Sequence, residues 1–77
     1  MTKRKQSLSA VVARDALAKR RFDCTGCQTP RGALEHALAV WDYERFGEPR
    51  HVDIYRGSKM IAAFDLDPDY GTYVRVG

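Results

Sequence analysis

The chain has 77 residues, a formal net charge of +3, 44% hydrophobic and 30% charged residues, and two cysteines. That length holds one small domain with a thin margin of stability, the composition excludes a disordered chain, and two cysteines are too few for a disulfide-built secreted scaffold. The first apolar run stops at Arg14-Asp15, too short for a signal peptide, and no stretch is long enough to span a bilayer. A soluble, cytoplasmic protein without membrane contact is therefore expected.

The charge is unevenly placed. Residues 1–21 carry seven basic residues against one acid, net +6, and residues 22–77 carry six basic and nine acidic residues, net −3. Such an asymmetry points to an anionic partner for the basic end. The alternative is a solvated basic tail followed by an exposed helix face.

Residues 1–7 show no apolar periodicity and are expected to form a flexible basic tail, with 8–77 a single α+β domain. From Ser9, a suitable N-cap, SAVVARDALAKRRF reads as a short helix rich in alanine, although LSAVVA also fits a strand. RRFDC is a candidate further strand. The second helix is signalled more firmly. Thr29 caps it, Pro30 fits its first turn, and Gly47 followed by Pro49 ends it. Leu34, Ala37, Leu38 and Trp41 fall on one stripe, which places Trp41 against Ile54, Ile61 and Val74 of a sheet.

The period then changes to two. HVDIYR and KMIAAFD flank Gly57-Ser58, a loop suited to a type II′ turn. The simplest register pairs Ile54 with Ile61 and Val52 with Ala63. The other face then carries His51, Asp53, Tyr55, Met60, Ala62 and Phe64. DLDPDYG reads as a tight acidic turn, since Pro68 and the late Gly71 do not suit a calcium loop, and TYVRV as a last strand. The expected architecture is α+β: a small three- or four-stranded, mostly antiparallel sheet with one helix packed on it and an additional short N-terminal helix.

Few residues signal chemistry. Cys24-Thr25-Gly26-Cys27 precedes a helix and lies near arginines, which favours a thiolate, but the parallel framework of a thioredoxin-like domain is missing. A zinc site would need Cys24, Cys27, His36 and His51, whose spacing is unlike that of zinc fingers. The simpler reading is a turn with glycine at the positive-φ position. No phosphate loop or nucleophile motif is present, so no cofactor and no enzymatic activity are expected.

The candidate partner- or nucleic-acid-binding residues are Lys3, Arg4, Lys5, Arg14, Lys19, Arg20 and Arg21 of the basic segment, with Tyr55, Tyr73 and Arg75 on the second sheet face. Aromatic and basic side chains on an open sheet stack bases and contact phosphates. The alternative is that a helix covers this face and the aromatics are core. TPRGALEHALAVWDYERFGEP followed by HVDIYRGSKMIAAFD resembles, in layout and chain length, small phage and mobile-element accessory proteins, including some type I anti-CRISPR proteins. The resemblance spans about residues 22 to 76 and implies a non-catalytic inhibitor docking on a CRISPR effector complex. The expected function is thus a small binding protein, monomer or homodimer, whose partner is a protein or nucleoprotein complex. Direct nucleic-acid binding through the basic segment and a small zinc or thiol protein are the alternatives.

Overall fold

The computed structural model describes residues 7–77. Most of the expected basic tail, with Lys3, Arg4 and Lys5, lies outside them. Five strands form one antiparallel sheet: β1 (Leu8–Ala13), β2 (Lys19–Cys24), β3 (His51–Arg56), β4 (Lys59–Asp67) and β5 (Thr72–Arg75), in the order β2-β1-β3-β4-β5. Between β2 and β3 come a helix α1 (Pro30–Val40) and a single helical turn α2 (Tyr43–Phe46).

This corrects the expected architecture twice: the sheet has five strands, and among the described residues there is no N-terminal helix. The segment read as that helix is the β1–β2 hairpin. Its alanines favour a helix locally, but β1 takes hydrogen-bonded neighbours on both sides and buries Leu8, Ala10 and Val12. Tertiary pairing of this kind overrides propensity. Asp15 makes the reversal, its Oδ1 accepting from the Leu17 and Ala18 N–H groups at 2.9 Å each.

Thr29 caps α1 as expected, its Oγ1 accepting from the Gly32 N–H at 3.1 Å. The helix ends six residues short of Phe46, however. Trp41 turns extended, and Asp42 recaps the chain by accepting from the Arg45 N–H at 3.1 Å. Gly47, at φ 73°, then ends α2.

Helix α1 lies across β1, β2 and β3 on one face of the sheet, burying Ala33, Leu34 and Ala37 against Leu8, Ala10, Val12, Cys24, Val52 and Ile54. Trp41 is 4% exposed. It meets Phe22 edge-on at 6.2 Å and Phe46 at 5.3 Å, and its Nε1–H donates to the Gly47 carbonyl at 2.7 Å. The expected contact with Val74 is excluded, because Val74 pairs with Asp65 on the opposite face and is 47% exposed.

The β3–β4 turn has Gly57 at φ 63° and no positive φ at Ser58, as a type II′ turn requires. The expected register fails one step later. It slips between Ile54 and Tyr55, so that Ile54 pairs with Ala62 and Val52 with Phe64. One extra residue on β4 reverses which of its side chains face the helix. Phe64 is consequently core, 2% exposed. The guanidinium of Arg31 lies 5.5 Å above its ring. Tyr73 follows to the same side and donates its hydroxyl to the Pro49 carbonyl at 2.6 Å.

Trp41→Ala removes the side chain that joins Phe22 to Phe46. It is expected to cost about 3–5 kcal/mol, a large share of the roughly 5–15 kcal/mol available to a domain. Denaturant unfolding of the variant, compared with Trp41→Phe, measures this. A wild-type midpoint for Trp41→Ala would contradict the packing described.

Candidate binding interface

The face of the sheet away from α1 has no covering element among the described residues. It carries Lys19, Arg21 and Asp23 from β2, Ser9, Val11 and Ala13 from β1, His51, Asp53 and Tyr55 from β3, and Met60, Ala63 and Asp65 from β4. The expected aromatic platform is not assembled there. Of its members only His51, Tyr55 and Met60 lie on this face. Phe64, Tyr73 and Arg75 sit on the helix side. Tyr73 is half-buried, and burial beside Tyr43 and Glu48 pushes its phenol up to about 12. Arg75 folds back on its own sheet edge, donating to the Gly77 carbonyl at 3.0 Å and the Ile61 carbonyl at 3.2 Å.

His51 is the polar centre of the open face. Its Nε2 lies 2.6 Å from Asp53 Oδ1, and its Nδ1 pairs with Asp65 across the strand boundary. With a carboxylate at each nitrogen the imidazolium is favoured. The hydrogen bond to Asp65 raises its pKa most, desolvation opposes it, and the hydrogen bond to Asp53 with the charge of both carboxylates leaves the net shift upward.

The four residues weighed as zinc ligands are not brought together. Cys24 is buried under α1, His36 is exposed on the helix, and His51 faces away from both. Among the described residues no three His, Cys, Asp or Glu side chains are grouped to hold a metal. The Cys24–Cys27 stretch is a turn: the Cys27 N–H donates to the Cys24 carbonyl at 3.0 Å, with Gly26 at φ 91°. The Cys24 thiol donates to the Ala33 carbonyl at 3.5 Å, tying β2 to α1. Desolvation, with Cys27 and Asp23 nearby, pushes it up to about 11.

The basic run separates by strand alternation. Lys19 and Arg21 point to the open face, where Arg21 Nη2 donates to Ser9 Oγ at 3.1 Å and the guanidinium lies 5.8 Å from the Tyr55 ring. Arg20 points to the other side and stacks on Phe46, its Cζ 5.0 Å from the ring centre. Arg45 stacks on the same ring at 5.3 Å, and Arg14 Nη1 donates to the Phe46 carbonyl at 3.2 Å. Three guanidiniums from the β1–β2 loop, β2 and α2 thus converge on one phenylalanine. Arg45 and Phe46 were not singled out from the sequence, since only the fold brings α2 beside β2.

None of these cations makes an ion pair among the described residues. The only ion pairs among the described residues are the two made by His51. The charged carbons of Arg20 and Arg45 lie within about 10 Å of each other, where like charges repel by roughly 0.4 kcal/mol in bulk water and several-fold more near a protein surface. A groove of about 380 Å³ opens beside them, lined by Arg14, Gly47, Glu48, Arg50, Leu66, Pro68 and Gly71. It leads to the acidic turn, where Asp67 Oδ1 accepts from the Asp69 N–H at 3.0 Å. Comparison with protein-family models, with curated proteins and with solved structures returns no match. No helix among the described residues is long and apolar enough to cross a membrane.

Two outcomes follow from this geometry. The His51 imidazolium has a folded pKa above its unfolded value, so its stabilisation is complete below about pH 6.5 and is lost as pH rises through the raised value. Its side chain is 40% exposed, so solvent screening limits each pair to about 0.2–1 kcal/mol. Thermal melts should show wild type above His51→Gln at pH 6 with the gap narrowing as pH rises; a gap independent of pH would remove the charge from the account. For the thiols, Cys24→Ser places a hydroxyl in the core and is expected to cost about 1–2 kcal/mol. Cys27→Ser stays within about 0.5 kcal/mol. Equal melting temperatures for the two variants would refute the difference in burial.

Proposed function

We propose that the chain is a small non-enzymatic binding protein of the phage or mobile-element kind, which docks on a host nucleic-acid-binding complex, such as a CRISPR effector, and inhibits it. The observation that carries this reading is the division of charge across the sheet. Arg14, Lys19, Arg20, Arg21 and Arg45 gather at the β2 edge. Asp65, Asp67 and Asp69 lie at the end of β4 and in the turn after it. Strand β2 is separated from β4 by β1 and β3, while Arg14 shares a groove with Pro68 and Gly71 of the acidic turn. A nucleoprotein complex presents both counterparts, phosphates and the basic protein surface that holds them. A bipolar molecule complements the boundary between the two, and electrostatic matching of this kind sets orientation and on-rate.

Direct binding to nucleic acid without a protein partner is the second reading. It is favoured by the uncompensated arginines and disfavoured by the dispersal of the aromatic residues, which leaves Tyr55 without Phe64 and Tyr73 beside it. The test is a purified type I effector complex with its target duplex, titrated with the protein and followed by gel mobility and cleavage. Docking predicts loss of target binding or cleavage at stoichiometric protein. Charge reversal at Asp67 and Asp69 to lysine should weaken that loss about ten-fold or more through the on-rate. Undiminished target binding and cleavage at saturating protein would rule the docking reading out.

A further inference from the structure

We propose that the arginines gathered on Phe46 form a clamp for phosphodiesters, and that its ligand is the backbone of a nucleic acid, bound without regard to sequence. Within the docking reading on which it rests, the clamp supplies the contact to nucleic acid. Arg20 and Arg45 each lie against the Phe46 ring, at 5.0 and 5.3 Å, and Arg14 is held by the carbonyl of the same residue. A guanidinium held against a ring keeps its edge donors available, the arrangement in which arginine binds phosphate oxygens bidentately.

No neighbouring acid makes an ion pair with these arginines among the described residues. Asp15 Oδ1 is engaged by two backbone N–H groups of its own turn, and Asp42 Oδ1 by the Arg45 N–H. Glu48 lines the adjacent groove with Arg14 and Arg50 but makes no ion pair. Cations held this close are relieved most by a ligand of matching charge density. One nucleic-acid strand carries a phosphate about every 3.4 Å of helix axis. It therefore presents successive charges close enough together for two guanidiniums no more than about 10 Å apart. The lack of an aromatic platform on the open face fits backbone binding, which positions a protein without reading bases.

The experiment uses the full chain and fluorescence anisotropy on a mixed-sequence duplex and a single strand, at salt from about 50 to 300 mM. The variant Arg14→Ala, Arg20→Ala, Arg45→Ala is compared with Arg56→Ala, Lys59→Ala, Arg75→Ala, which removes the same net charge elsewhere. Circular dichroism confirms that both fold. The clamp predicts that the first variant flattens the slope of log affinity against log salt by about 2–3 units, with at least a ten-fold loss of affinity at low salt. The second should change the slope by less than about one unit. Equal losses in the two variants would assign binding to diffuse net charge and overturn the clamp. So would a wild type that binds polyglutamate and neither nucleic acid. Because these measurements contain no effector complex, salt-sensitive DNA binding without inhibition would sink the docking reading and leave the clamp standing.

Discussion

The pairing of β1 with both β2 and β3 is the constraint on which the rest of this molecule depends. Every β1 backbone group between Leu8 and Ala13 has a strand beside it, and its inward side chains form the floor on which α1 lies. That position explains why a segment with ordinary helical composition is extended. Two ladders of hydrogen bonds and three buried side chains outweigh the propensity of a few alanines. It also places the basic run at the edge of the sheet, where unpaired backbone is exposed. Consecutive cations there deter pairing with other chains, so the same residues guard an edge and define a surface.

A second constraint is the slip in register beside Tyr55. Strand alternation is unforgiving, and one additional residue on β4 decides the orientation of everything that follows. Phe64 enters the core, Ala63 takes the open face, and β5 inherits the new phase, which turns Tyr73 inward and Val74 outward. The loss of an aromatic platform is therefore a consequence of a single bulge. The open face instead presents a histidine whose charged form is favoured by two carboxylates, a feature that ties β3 to β4.

What could be read from the residues in advance was what depends on local chemistry. Thr29 and Pro30 mark the start of α1, Gly57-Ser58 fixes the hairpin turn and Gly26 the cysteine turn, whereas the acidic turn expected over DLDPDYG is confined to its last four residues because β4 runs on to Asp67. What could not be read depends on distant partners. The pattern of the alanines in the first segment suits a helix until β3 is known to lie beside it. The bulge has no glycine or proline to announce it. The end of α1 at Val40 is set by Trp41 reaching the Gly47 carbonyl, while Asp42 offers the backbone a new cap. The convergence of Arg14, Arg20 and Arg45 on Phe46 joins residues from three elements, and no sequence window contains them all.

The order of the strands has a kinetic meaning. The molecule consists of two local hairpins, β1–β2 and β3–β4, joined along one seam between β1 and β3. Each hairpin closes a short loop and forms on the microsecond scale. The seam encloses a loop of about 40 residues that includes α1, and its entropy must be met before any contact across it contributes. Until it closes, each hairpin exposes one edge of its partner's complement, β1 to one side and β3 to the other. The β1–β3 seam is thus the pairing with the highest loop cost in the sheet, and both hairpins depend on it for the floor under α1.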